Sequence, residues 1–183
     1  MPLLGAFKAH KDIVNAPVVR FEIEPYDPRD LLYGHYMTFQ IKWNWKKDSP
    51  VLKRTEDKVC LCVGEGDVNP EVSAVVCSSK KENNSECQYL IPGNYYAHSS
   101  PEDGVQNQTF DADINRYYVD ERFGLPLEDL FRDKKEIFSI GLGMKPKGKP
   151  AVEKLYIGDL PLKDYLDANG GTVPAPVHSL EQP

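Results

Sequence analysis

The chain has 183 residues, of which 40% are hydrophobic and 27% charged, and its net charge at pH 7 is −6. This length fits one domain with or without tails, and it is sufficient to bury a hydrophobic core. The acidic balance argues against a nucleic-acid partner, which usually needs a basic protein face. No segment approaches the ~20 apolar residues of a membrane span, and no signal-peptide pattern is present.

The chain opens with a short apolar run, MPLLGAF, which has two interpretations. It is either the end of a longer apolar segment that precedes this sequence or an ordinary disordered start. The residues alone do not choose between the two.

Alternating apolar and polar residues predict strands in the first half of the chain. Residues 17–24 and 36–45 alternate most clearly, and further strands are predicted at 58–64, 71–77 and 87–93. The second segment places five apolar side chains on one face, which would anchor the core. These are Met37, Phe39, Ile41, Trp43 and Trp45.

The second half adds further strands and two short helices. Residues 94–108 are polar, with Pro and Gly, and are predicted to form an irregular loop. Strands are predicted at 114–121, 134–145 and 151–158, and short helices at 125–133 and 160–171. We therefore predict a mainly β fold: a single-domain β-sandwich or partly open barrel with two or three short helices.

Four cysteines, at positions 60, 62, 77 and 87, leave the redox state open. Cys77 and Cys87 flank a polar loop between two predicted strands, which makes them the preferred disulfide pair. Buried free thiols explain the residues equally well. Zinc binding is disfavoured because the spacing matches no common finger or ribbon, so no metal site is predicted.

The stretch DPRDLLYGHY, residues 27–36, is dense in polar side chains. Asp27 and Pro28 are typical of a helix start, Asp30 can reach back toward free N–H groups, and Gly34 can end the turn. A single capped helical turn therefore explains most of the cluster. Only Arg29 and His35 are left without a structural role.

The segment PYDPRDLLYGHYMTFQI resembles the signature of the GDYXXLXY family of bacterial proteins. In that signature Gly-Asp-Tyr is followed by two free positions, Leu, one free position and Tyr. Gly34 and Tyr36 match it, whereas His35, Phe39 and Ile41 stand at the Asp, Leu and final Tyr positions. Because His35 removes the acid, no role of that acid is carried over.

Two later stretches are also similar to the family. INRYYVDERFGLPLEDLF is similar to its arginine-tyrosine-phenylalanine segment, and residues 136–162 are similar to its C-terminal hairpin. The resemblance implies an N-terminal membrane anchor, removed from this chain, and an extracytoplasmic domain on the periplasmic side of the inner membrane. Residues 1–16 would then be a linker, 17–168 the β-rich domain and 169–183 a flexible tail. An oxidising envelope compartment also favours a disulfide.

The resemblance implies no activity and no cofactor, so function rests on the residues. We predict a non-enzymatic cell-envelope module that supports or binds a membrane-protein partner, with contact to the membrane only through the anchor. The alternative is a binding site for a small ligand or envelope polymer, formed where the DPRD and RYYVDER segments meet. The structural counterpart of that alternative is a buried ion pair between Arg29 or Arg116 and one of the acids of these segments, which would fix the fold. The residues of this binding or structural network are Asp27, Arg29, Asp30, Gly34, His35, Tyr36, Arg116, Tyr117, Tyr118, Asp120, Glu121 and Arg122.

A hydrolase similar to type I signal peptidases is a less favoured reading. Its chemistry needs a serine activated by a buried lysine. The SSKK stretch at residues 78–81 lies in a predicted exposed loop, where a lysine stays protonated. No catalytic residue is therefore predicted.

Overall fold

A computed structural model describes residues 16–26, 36–47, 52, 58–77, 86–99, 106–133, 135–145 and 148–169. Within these ranges the chain forms strands β1 (Val18–Pro25), β2 (Tyr36–Ile41), β3 (Val59–Val63), β4 (Val72–Val76), β5 (Tyr89–Pro92), β6 (Asn94–Ser99), β7 (Gln106–Asp111), β8 (Arg116–Tyr118), β9 (Phe138–Gly143), β10 (Ala151–Ile157) and β11 (Leu160–Pro161). The helices are α1 (Gly124–Asp133) and α2 (Leu162–Ala168), and a 3-10 turn (Glu121–Phe123) precedes α1.

The described strands form three sheets. The largest has the order β11-β10-β9-β1-β2-β8, the second has the order β4-β3-β5, and β6 pairs with β7. The predicted mainly β class with short helices is therefore confirmed. Its arrangement as a sandwich or a partly open barrel stays a prediction. The domain boundaries also stay a prediction, because most of 1–16 and 169–183 lies outside the described residues.

The chain divides into two compact units. The first unit comprises residues 1–22, 42–114 and 140–153. In this unit the Trp43 ring packs edge-on against Phe21 and Phe110, with centroids 5.1 and 6.1 Å away. The indole N–H of Trp43 also donates to the Phe110 carbonyl at 2.8 Å, so its polar atom is satisfied inside the aromatic cluster.

The second unit comprises residues 23–41, 115–139 and 154–183. Met37 and Phe39 of β2 are 1% exposed, so they lie on the buried face of the strand. Helix α1 covers apolar surface with Leu127 and Phe131, and the Phe131 ring lies 4.5 Å from that of Phe138. The 3.6-residue spacing of the apolar side chains in α1 therefore serves the core of this unit.

The four cysteines form two disulfides, Cys60–Cys77 and Cys62–Cys87. This corrects the predicted Cys77–Cys87 pair. The prediction placed the two flanking strands side by side, but β3 lies between β4 and β5. Cys60 of β3 therefore bonds to Cys77 just after β4, and Cys62 of β3 bonds to Cys87 just before β5. Because β3 lies between these two strands, it separates Cys77 from Cys87. The disulfides indicate an oxidising, extracytoplasmic location.

Three predicted segments differ from the structure. The irregular loop expected at 94–108 contains β6 and the first half of β7, an antiparallel pair in which Tyr95 faces Phe110. Polar residues occupy both faces of this hairpin, so the alternation that reveals a half-buried strand is absent. The strand expected at 36–45 ends at Ile41, and helix α2 begins at Leu162 because residues 160–161 pair with β10.

Candidate binding site on the edge strand

The candidate site is built on β8, the short strand at one edge of the largest sheet. Antiparallel pairing places Tyr36 opposite Tyr118, Met37 opposite Tyr117 and Thr38 opposite Arg116. Because side chains alternate between faces, Tyr36, Arg116 and Tyr118 share one face. Met37 and Tyr117 lie on the other face, which is the buried side of β2.

The shared face carries an exposed aromatic cluster. The Tyr36 and Tyr118 rings meet edge-on with centroids 6.3 Å apart, and the Arg116 guanidinium lies 5.2 Å from the centre of the Tyr36 ring. Tyr118 is 76% exposed. Tyr26, which directly follows β1, joins this face, because its backbone N–H donates to the Thr38 carbonyl and its hydroxyl donates to Gln40. We name Tyr26, Tyr36, Arg116 and Tyr118 the tyrosine face.

A cleft lies beside β8. It has a volume of about 430 Å³ and lies between Tyr117–Asp120 on one side and residues 154–155 and 161–164 on the other. All of its lining residues belong to the second unit. β8 and β11 stand at opposite ends of the sheet order, yet both line this cleft. Within the second unit, two edges of the largest sheet therefore approach each other.

The Asp120 carboxylate in the RYYVDER segment is hydrogen-bonded to Arg122 of the same segment. The Arg122 guanidinium donates to both carboxylate oxygens of Asp120, at 2.9 and 2.8 Å, and the Arg122 backbone N–H donates to the same carboxylate at 3.1 Å. The hydrogen bond to Asp120 raises the pKa of Arg122. Glu121 contributes its backbone to the 3-10 turn. Asp120 therefore builds the turn that leads into α1.

Several predicted site residues lie outside the described residues. These are Asp27, Arg29, Asp30, Gly34 and His35. Because the DPRD segment is not described, its contact with the RYYVDER segment stays a prediction, and so does the ligand site that depends on this contact. The SSKK stretch also lies outside the described residues.

The arrangement offers contact surface and backbone hydrogen-bonding groups. Tyr and Arg are the residues most enriched where protein partners meet, because both combine flat apolar area with polar groups. Within the described ranges, no three His, Cys, Asp or Glu side chains converge as metal ligands. In the same ranges, neither helix has the length and apolar composition of a membrane-spanning segment.

Some residues of the site were missed by the sequence reasoning. Tyr26 could have been found by extending the alternation of β1 by two positions beyond Glu24. Lys154 and Lys163, which line the cleft, carry no local signal. Their position depends on which strands end the sheet, and the residues of one strand do not reveal this.

Comparison with known proteins gives one match. Residues 1–155 match the family model described as GDYXXLXY protein. No curated protein and no solved structure matches the chain. The matched range contains the signature segment, both disulfides and the whole of β8. The chain therefore belongs to the GDYXXLXY family.

Proposed function

We propose that the protein is a non-enzymatic cell-envelope module that binds a membrane-protein partner through the tyrosine face. The observation that carries the proposal is the outward-facing cluster of Tyr36, Arg116 and Tyr118 on a sheet edge. Contact of a large exposed aromatic surface with water is unfavourable, and such a surface usually marks a site that a partner covers. Two disulfides and family membership support an envelope location, and we infer the periplasmic side of the inner membrane.

The geometry of the tyrosine face suits recognition. The edge-on contact of the two rings and the guanidinium over Tyr36 hold three long side chains in place before a partner arrives. A partner then pays less conformational entropy to order them. Tyr118 projects furthest, with 76% of its surface exposed, and it is the natural anchor of the contact.

The test is site-specific photo-crosslinking in intact cells that produce the full-length protein. A benzophenone amino acid replaces Tyr118 in one strain and Tyr96 in another. Tyr96 is the matched control because it is also a strand tyrosine and is 48% exposed, but it lies in the first unit. We expect one adduct in the membrane fraction from position 118 and none from position 96.

A second variant makes the result specific to the face. Introducing Tyr36→Ala and Arg116→Ala beside the crosslinker should reduce the adduct at least fivefold, since truncating anchor residues typically costs more than 1 kcal/mol. Circular dichroism of the purified variant checks that the sheet is intact. Equal adducts from positions 118 and 96, or an adduct insensitive to the double variant, would contradict the proposal.

A further inference from the structure

The cleft beside β8 is bordered by strand edges without neighbours. β8 ends the largest sheet, and no described strand pairs with its outer side. On the opposite wall, β11 pairs only with Tyr156 and Ile157 of β10. Lys154 and Leu155, which line the cleft, therefore precede the part of β10 that pairs with β11. A strand edge presents free N–H and C=O groups, and proteins normally cover, charge or shorten such edges.

The hydrogen-bond register shows which groups of β8 face outward. The Phe39 N–H donates to the Asn115 carbonyl, so residues 39 and 115 form a hydrogen-bonded pair. Such pairs alternate along an antiparallel ladder, so Tyr117 directs its N–H and C=O toward β2. Arg116 and Tyr118 then direct theirs away from β2. These are the groups that an added strand would bond.

Charge and burial indicate what that strand carries. Lys154 and Lys163 are exposed on the cleft walls, and neither forms an ion pair with any described residue. Val119, Leu155 and Leu162 are at most 6% exposed and provide an apolar floor. Asp120 is neutralised by Arg122, and Asp164 lies in the first turn of α2, where a helix N-terminus favours a carboxylate. The cleft therefore presents two unpaired cations above an apolar floor.

We propose that the cleft binds an extended acidic segment of a partner protein, which adds as a strand to β8. Its acidic side chains pair with Lys154 and Lys163, and its alternate apolar side chains face the floor. The three residues of β8 span about 10 Å, so the added strand is short. This inference rests on the proposed function, because it states which part of a protein partner is bound.

The probe is a fluorescein-labelled peptide of alternating glutamate and valine, titrated against the purified protein and followed by fluorescence anisotropy. Two peptides serve as controls: one with lysine in place of glutamate, and one in which every backbone nitrogen is methylated so that neither of its edges can donate to a strand ladder. We expect the acidic peptide to bind at least tenfold more tightly than the lysine peptide. N-methylation should abolish binding.

The matching protein variant is Lys154→Glu/Lys163→Glu. Each exposed ion pair contributes up to about fivefold in affinity, so losing two weakens binding by up to about 25-fold, and we expect roughly tenfold for the double variant. Lys46→Glu/Lys58→Glu is the control, since both lysines are exposed, lie outside the cleft and change the net charge equally. Strand addition is overturned if the methylated peptide binds as well as the parent, if the acidic peptide does not bind, or if both variants weaken binding equally.

The crosslinking experiment separates this inference from the proposed function. If the Tyr118 adduct persists in the Lys154→Glu/Lys163→Glu strain while the acidic peptide fails to bind, the tyrosine face binds a partner without strand addition. If position 118 gives no specific adduct, the proposed function itself fails. A lost adduct in the cleft variant together with peptide binding to the parent protein supports both.

Discussion

The two disulfides permit a quantitative prediction, because each closes a loop of known length. Cys62–Cys87 spans 25 positions and Cys60–Cys77 spans 17. In the chain-entropy model, loops of these lengths raise the free energy of unfolding by about 3.5 and about 3.1 kcal/mol. Replacing Cys62 and Cys87 together by alanine should therefore destabilise the protein slightly more than replacing Cys60 and Cys77.

The assay is urea unfolding followed by tryptophan fluorescence. Trp43 and Trp45 are the only tryptophans, and both lie in the same unit as the disulfides. With an m-value of ~2 kcal/mol/M, removing the longer loop should lower the urea midpoint by about 1.7 M. A midpoint that moves by less than about 0.5 M would refute the reasoning from loop closure.

Counting thiols in the denatured, unreduced variants tests the pairing itself. Alanine at positions 60 and 77, or at 62 and 87, removes one complete bond and should leave no free thiol. Alanine at positions 77 and 87 removes one partner of each bond and should leave two. Two free thiols in the 60/77 variant would show that the pairing is different.

Two further predictions concern packing and pH. Gly93→Ala should destabilise the protein by about 1–3 kcal/mol, because the added methyl group would collide with the Asp111 carbonyl oxygen and the Phe110 ring. Gly124→Ala is the control: its methyl group meets nothing within 4 Å, so this variant should be neutral or slightly stabilising. Equal urea midpoints of the two variants would contradict the prediction. Burial raises the pKa of Tyr165 above 10.0, so its contribution to stability is fully present below that pH and is lost as the pH rises through the folded-state pKa. As the pH is raised above 10, the urea midpoint of Tyr165→Phe should therefore fall less than that of the parent protein. If the two midpoints fall in parallel, Tyr165 is not the group responsible.

The strands that bury one face could be predicted from the sequence. In β2, Met37, Phe39 and Ile41 all lie on the buried face, as their alternation predicted. The substitutions in the family signature are consistent with this, because Phe39 and Ile41 replace one large apolar or aromatic side chain by another on that face. The same reasoning failed for β6 and β7, because polar residues occupy both faces of these strands and the sequence therefore shows no apolar–polar alternation.

The site could be predicted only in part. Tyr36, Arg116 and Tyr118 were named from the sequence, and the β2–β8 pairing brings them together. Lys154 and Lys163 could not be named, because nothing local indicates that β10 and β8 line one cleft. The disulfide pairing failed for a related reason: the order of strands in a sheet is set by packing of the whole chain, and one loop between two cysteines does not determine it.

The two disulfide loops interlock, since Cys62 lies inside the loop closed by Cys60–Cys77 and Cys87 lies outside it. A single proteolytic cut between positions 62 and 77 is therefore bridged by both bonds, and a cut between 77 and 87 by Cys62–Cys87 alone. In an extracytoplasmic compartment that contains proteases, a chain cut once in this region would stay in one covalent piece. Its fragments would separate on a denaturing gel only after reduction.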